Sequence, residues 1–346
     1  MSPAKMEYVN LGKSGLKVSK VIVGCMSYGT PDWIGWVLPE AESLSVLEHA
    51  YKCGINTWDT ADVYSNGVSE KIVGKALKQF NIPRHRIVIL SKCFFGVSDA
   101  GGQPPFSEVR VNDGEMVNRV GLSRKHIIDA VDQSVERLGT YIDVLQIHRL
   151  DRSTPMEEIM KALNDVIESG KVRYIGASSM FTWEFQMMQN IAEKNGWHKF
   201  ISMQNYYNLL YREEEREMNP YCKATGVGLI PWSPVGRGAL TRPFNSRDTT
   251  REKTDQMLHS VIRQQETEVD KNIVDRVEEL AKKKGVSMAG IATAWCLAKG
   301  TMPIIGMSSK ERIEQACENI HIKLTEDEMK YLEEPYRPKQ IYRHYD

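Results

Sequence analysis

Four polar side chains stand where apolar, β-rich runs end: Asp59 and Tyr64 in "NTWDTADVYSNGVSE", Lys92 in "RIVILSKC" and His148 in "VLQIHRLD". Brought together, they would polarise and protonate a carbonyl. A phenol with its ordinary pKa of about 10 is a poor acid at neutral pH, and a nearby ammonium lowers that value by stabilising the phenolate. Lys92 is the residue to do this for Tyr64, Asp59 the one to keep Lys92 charged and aimed, and a neutral His148 imidazole the one to orient the carbonyl oxygen by a hydrogen bond. Each also has a plainer reading: Asp59 as a turn or cap residue, Tyr64 as a half-buried aromatic, Lys92 as a snorkelling surface cation, His148 as a core or rim histidine. Lys92 resists its plain reading most, because burying an unpaired ammonium at the end of "RIVIL" costs on the order of several kcal/mol. Co-occurrence at successive strand ends favours chemistry. Asp62 is left to turn or cap chemistry, since the pairing gives it no partner.

Such a meeting requires strands that deliver their carboxyl ends to one place. The chain alternates short β-rich runs with segments of helical period, the pattern of a parallel sheet with crossover helices. "VIVGCM" (21–26) is the first strand, and "INTWDTA", "RIVILSKC", "YIDVLQIHR", "VRYIGASS", "FISMQNYYN", "GVGLIPWSP" and "MPIIGMSS" follow. Among the helices, "PEAESLSVLEHAYKCG" stops at Gly54, "SRKHIIDAVDQSVERLG" takes Ser123 as N-cap, and "TPMEEIMKALNDVIESG" takes Thr154 as cap with Pro155 at the first helical position. Eight strand–helix units predict an α/β fold, a (β/α)₈ TIM barrel forming a single domain over residues 1–346, with its active site at the C-terminal face of the strands. A doubly wound sheet would show a glycine-rich turn after the first strand, and "GCMSYGTPDW" is not G-x-G-x-x-G. Residues 94–122 and 237–266, after strands three and seven, read as long irregular loops that shape a substrate mouth. Trp33, Trp36, Phe94 and Phe95 follow strands one and three and offer aromatic walls to flat or bulky carbonyl compounds. "YREEEREM" (211–218) reads as a solvated helix face.

Composition narrows the partner. Lysine plus arginine and aspartate plus glutamate are equal at 45 each, so no global field attracts nucleic acid, an anionic membrane or an acidic substrate. A small molecule is the expected partner. Six cysteines without a C-x-x-C pattern read as buried free thiols in a reducing compartment. With no apolar leader, and no window near the roughly 18 apolar residues of a membrane span, the protein is expected to be cytoplasmic. Only His148 is well placed as a metal ligand and no H-x-H pair occurs, so a metal-dependent hydrolase is disfavoured and no metal is expected.

In the order in which they occur, "LGKSGLKVSKVIVG", "NTWDTADVYSNGVSE", "LSKC", "LQIHRLD", "GKVRYIGASS", "MQNYYN", "PWSPVGRGAL" and "PIIGMSSKERIEQACENI" resemble the aldo-keto reductases, most nearly the fungal branch of aryl-alcohol dehydrogenases and secondary-metabolite reductases. The resemblance implies a tetrad of Asp59, Tyr64, Lys92 and His148, with Tyr64 as general acid in NADP(H)-dependent carbonyl reduction. It places Asp59, Ser178, Ser179 and Gln204 around the nicotinamide, with Ser179 standing where many members carry Asn, and turns a face of Trp232 to the ring. Ser233, Pro234, Val235, Gly236, Arg237, Gly238 and Leu240 would wrap the pyrophosphate. Ser309, Lys310, Arg312, Gln315 and Asn319 belong to the helix after strand eight, whose N-terminus and two cations suit a 2′-phosphate, so NADPH is favoured over NADH. Tyr64, His148, Trp33 and Phe94 would meet the substrate. The expected function is reduction of an aromatic or bulky aldehyde or ketone. The alternative is a non-enzymatic nicotinamide-binding module like potassium-channel β subunits, against which the complete tetrad weighs.

Overall fold

Strands whose residues are buried on both faces, alternating with amphipathic helices, have one economical closure, and the chain adopts it. The computed structural model describes residues 6–100, 102–104 and 106–342. A hairpin of β1 (Tyr8–Asn10) and β2 (Lys17–Ser19) comes first, antiparallel. The parallel strands are β3 (Ile22–Gly24), β4 (Thr57–Asp59), β5 (Val88–Cys93), β6 (Ile142–Ile147), β7 (Val172–Ser178), β8 (Phe200–Gln204), β9 (Gly228–Leu229) and β10 (Ile304–Ile305). They lie in the order β10-β3-β4-β5-β6-β7-β8-β9. Met302 N–H to Leu229 O (2.9 Å) and Ile304 N–H to Pro231 O (3.0 Å) bridge the two ends, giving the expected (β/α)₈ barrel.

Helices α1 (Glu40–Lys52), α2 (Val68–Gln79), α3 (Arg124–Leu138), α4 (Met156–Glu168), α5 (Thr182–Asn195) and α6 (Met218–Thr225) cover the first seven strands, and α7 (Thr250–Thr254), α8 (Gln256–Val261), α9 (Glu268–Lys284), α10 (Met288–Ala298), α11 (Lys310–Asn319) and α12 (Glu326–Glu333) the remainder. Ser123 caps α3 as expected, its hydroxyl accepting from His126 N–H, and Gly139 ends it at φ 65°. The expected cap of α4 is displaced by one residue. Pro155 is the N-cap because Thr154 Oγ1 donates to Asp151 Oδ2 (2.7 Å), a carboxylate that also gathers Leu122 N–H.

The hairpin went unforeseen. It plugs the N-terminal end of the barrel, where Leu11 and Val18 join Ile22, Leu90, Val144 and Ile230 in one buried cluster. Residues 237–266 also differ from expectation, for they contain α7 and α8, sewn together by Arg263 on Glu252 (2.6 and 2.8 Å). "YREEEREM" is not a solvated face either. Glu213 and Glu214 are buried, Glu213 accepting from Tyr336 O–H (2.7 Å) and Lys339 N–H (2.8 Å), Glu214 from Asn205 Nδ2 (2.6 Å). All six cysteines are buried and free, and no described helix is long and apolar enough to cross a membrane.

Candidate active site

Asp59 is the last residue of β4, and a tight turn carries the chain from it to Tyr64. Asp62 N–H donates to Lys92 O (3.2 Å), tying the turn to the end of β5, and Ser65, Asn66 and Gly67 take φ values of 50°, 52° and 84° in succession to swing into α2. Lys92 is 1% exposed. Its Nζ donates to Asp59 Oδ2 (2.6 Å), Thr60 O (2.8 Å) and Tyr64 OH (3.1 Å), a full set for an ammonium. The other carboxylate oxygen of Asp59 accepts from Gln146 Nε2 (2.9 Å) and Gln204 Nε2 (3.0 Å). Gln146, a lone amide inside the buried strand "IDVLQI", is a site residue that the search for ionisable groups passed over.

Burial works against the Lys92 charge, but Asp59 and Tyr64 outweigh it and hold the ammonium above its ordinary value. For Tyr64 the outcome reverses the expectation. Burial pushes the phenol up, and Lys92 pulls it down without winning, so Tyr64 remains a protonated donor with its pKa above the usual phenol value. The His148 ring meets Tyr64 edge-on at 5.8 Å and Phe95 at 5.0 Å. Tyr64, Asp59 and His148 all line one cavity of about 170 Å³ at the C-terminal mouth, as does Arg149, whose charge also favours the phenolate.

Trp33, Trp36, Phe95 and Phe106 wall this cavity. Phe94 does not; it packs against the core and edge-on to Phe95 at 5.0 Å. Phe106 reaches in from a stretch with no periodicity to signal it.

Ser178, Gln204, Trp232, Ser233, Pro234, Val235 and Arg237 reach the same cavity. Trp232 has one face stacked on Tyr206 at 4.5 Å. The Ser178 hydroxyl is committed to Gln204 O (2.7 Å), and the Gln204 amide donates to Asp59 and to Gln146 Oε1 (2.8 Å). Ser179, at φ 51°, is outside the lining; Asn205 Oδ1 accepts from its N–H (2.9 Å) and its Oγ accepts from Trp232 Nε1 (3.3 Å). Gly236, Gly238 and Leu240 are buried behind the loop surface. Arg237, expected beside a pyrophosphate, lines the cavity and is also paired with a carboxylate. Its guanidinium grips Asp255 through Nε (3.0 Å) and Nη2 (2.8 and 2.9 Å). The cation that sequence reasoning missed is Arg251, which lines the cavity and stacks on Trp36, 3.9 Å from the ring centre. Burial and the charges of Arg237, Arg312 and Arg242 pull its pKa down to about 9 in spite of Asp255. Ser309 caps α11, accepting from Arg312 N–H (3.3 Å); Lys310 and Gln315 lie exposed on that helix, and Asn319 packs on Gly290 of α10. Arg312 of this group adds positive charge next to Arg251 and Arg242.

Asp62 is 1% exposed; Oδ1 accepts from Val63 N–H (2.6 Å), and Oδ2 has no hydrogen-bond partner among the described residues. Burial and the Glu70 charge raise this carboxyl well above the ordinary range. A raised folded-state value means stabilisation present below the unfolded pKa and lost as pH rises through the folded one. Asp62→Asn keeps the Oδ1 acceptor and removes that loss. The variant is therefore expected to out-stabilise the wild type at pH 8, the gap shrinking by about 1.4 kcal/mol per pH unit across the window between the two values. Thermal unfolding at pH 8 and pH 4 checks this; equal gaps at both would contradict it.

A family model described as "Aldo/keto reductase family" matches residues 20–337. The chain is 66% identical over 339 residues to versiconal hemiacetal acetate reductase of Aspergillus parasiticus, covering 97% of this chain and 99% of that protein. It is 57% identical over 342 residues to a protein of Schizosaccharomyces pombe provisionally named an aryl-alcohol dehydrogenase, covering 96% and 97%. An aldo-keto reductase of Metarhizium robertsii is 48% identical over 351 residues, covering 99% and 95%.

Proposed function

The chain belongs to the aldo/keto reductase family of oxidoreductases, and from that membership we propose that its cavity reduces an aromatic or bulky aldehyde or ketone with NADPH, Tyr64 giving the proton. The carrying observation is the fully buried Lys92 bridging Asp59 and the Tyr64 hydroxyl beside His148. When bound, the nicotinamide supplies the two-electron chemistry. The chain's own residues handle the proton and the oxygen. The Tyr64 hydroxyl donates to the carbonyl oxygen, and the phenolate left behind is stabilised by Lys92 at 3.1 Å. Asp59 keeps Lys92 charged, Gln146 and Gln204 hold the Asp59 carboxylate aimed at it, and His148 holds the carbonyl oxygen beside the phenol. Aromatic walls exclude water from the reacting atoms.

The residues present fit a phosphorylated nicotinamide cofactor. Arg251 is a half-buried cation crowded by Arg237, Arg242 and Arg312, and the Asp255 carboxylate 3.5 Å away is shared with Arg237, an excess of positive charge that a phosphate would relieve. Arg251 and Arg312 are assigned to the 2′-phosphate, and Trp232 to the nicotinamide face. Arg251→Gln is expected to raise KM for NADPH roughly tenfold, the worth of one charge-assisted hydrogen bond, and to leave KM for NADH nearly unchanged. Equal effects on both cofactors would remove Arg251 from the phosphate site.

The function is tested by following NADPH oxidation, through the loss of the reduced nicotinamide absorbance, with a panel of aromatic aldehydes and ketones. The relative whose name gives a hemiacetal acetate makes that class the next to assay. No turnover with any of them would sink the proposal.

A further inference from the structure

Trp232 enters the cavity as the last of three stacked rings. Its backbone N–H donates to Asn205 O (2.9 Å), which sets it in parallel register beside Tyr206, and the two rings stack at 4.5 Å and 23°. Tyr211 also stacks on Tyr206, at 4.7 Å and 26°. A ring accommodates two such close, nearly parallel partners only on opposite faces, so Tyr211, Tyr206 and Trp232 form one continuous stack. Tyr206 and Tyr211 are buried, whereas Trp232 is half-buried and lines the cavity. The stack therefore runs from the core into the site.

The C-terminal segment grips its inner end. Tyr342 N–H donates to Tyr211 OH (3.0 Å), and the Tyr342 ring meets Tyr206 edge-on at 5.9 Å. Glu213 Oε1 accepts from Tyr336 O–H (2.7 Å) and Lys339 N–H (2.8 Å), and Tyr336 OH accepts from Arg212 N–H (2.9 Å). Residues 336–342 are thus tied to Tyr211 and to the two residues after it. At the outer end, the Trp232 indole N–H donates to Ser179 Oγ (3.3 Å). With one face on Tyr206 and an edge on Ser179, the indole has a single face left for a ligand. Tyr206, Tyr211 and Tyr342 stand behind it, outside the cavity lining.

We propose that Tyr206 is a positioning residue for hydride transfer and that the C-terminal segment acts through it: the stack fixes the plane of Trp232, and Trp232 fixes the plane of the nicotinamide laid against it. This rests on the cofactor reading above, in which Trp232 meets the nicotinamide face. Hydride transfer needs the donor and acceptor carbons in a near-attack arrangement, and a small misplacement from a change far from the chemistry costs about 10²-fold. An indole free to tilt loses that control while still binding the cofactor.

The test uses the full-length protein and NADP⁺, whose oxidised nicotinamide accepts charge from an indole stacked on it and gives a weak long-wavelength absorbance. Wild-type protein is expected to show this band on titration. Tyr206→Leu is expected to lose most of it, to bind NADP⁺ roughly three- to tenfold more weakly, the worth of an aromatic pair, and to turn over roughly tenfold slower with saturating NADPH. Tyr206→Phe keeps the ring, drops the hydroxyl and should match the wild type in all three. Tyr342→Leu gives the same changes in smaller measure, and it carries the test if Tyr206→Leu does not fold. Added to Tyr206→Leu, it should cost nothing further. A band and turnover unchanged in folded Tyr206→Leu overturn the positioning role, as does their loss in Tyr206→Phe. Losses that add in the double variant overturn the route from the C-terminal segment through Tyr206. Wild-type protein that binds NADP⁺ without the band takes the nicotinamide away from Trp232, and the cofactor reading then falls with the proposal; a wild-type band that persists in Tyr206→Leu removes the proposal alone.

Discussion

Replacing Tyr64 by phenylalanine is expected to lower kcat for aldehyde reduction by about 10²- to 10⁴-fold, the worth of a positioned proton donor, with KM for NADPH close to that of the wild type. The substitution removes one hydroxyl and little else. The ring keeps its contacts with Trp33 at 5.9 Å and His148 at 5.8 Å. Lys92 loses a 3.1 Å partner but retains Asp59 and Thr60 O, so the fold tolerates the change. The pH profile supplies a second readout. Because burial holds the phenol above its usual value, Tyr64 stays protonated through the neutral range, and wild-type reduction should be flat there, falling only in the alkaline region where phenols ionise. Alcohol oxidation needs the phenolate and should rise over that same region. A Tyr64→Phe protein with wild-type turnover, or an oxidation rate that falls with pH, would take the phenol out of the chemistry.

The residues on which this rests were legible because ionisable side chains closing apolar runs are conspicuous. Asp59, Lys92 and His148 interrupt strands of buried residues, and the barrel topology, itself legible from eight alternations, turns their sequence positions into neighbours. What escaped notice lacked either charge or periodicity. Gln146 is an uncharged amide in an otherwise apolar strand, yet it is one of two donors on the far oxygen of Asp59. Phe106 and Arg251 come from stretches whose shape is set by tertiary contacts, Arg251 by its stacking on Trp36. Glu213 looked solvated because its partner Tyr336 lies 123 residues away. The direction of the Tyr64 shift was unreadable for another reason. Lys92 and burial oppose each other there, and a sequence carries the charge without the depth of burial that decides the sign. Arg237 shows the same limit, since nothing near it in the chain announces that Asp255 will claim its guanidinium.

Lys92→Met is expected to abolish measurable turnover and to destabilise the protein by about 3–5 kcal/mol, the cost of leaving one half of a buried ion pair alone. Asp59 is 2% exposed, so water cannot replace the lost ammonium, and only the amides of Gln146 and Gln204 remain on its carboxylate. The two losses separate in a second variant. Adding Asp59→Asn to Lys92→Met removes the orphaned charge and should restore most of the stability in chemical denaturation, because an amide needs no counter-ion. Activity should not return: without Lys92 only the Arg149 charge is left to offset burial at Tyr64, and the phenolate left by proton donation has lost the cation in contact with it. The pair therefore distinguishes a lysine kept for the fold from one kept for the proton. If the double variant recovers stability and turnover together, Lys92 serves only to neutralise Asp59; if it recovers stability alone, the ammonium acts on Tyr64, as the 3.1 Å contact implies.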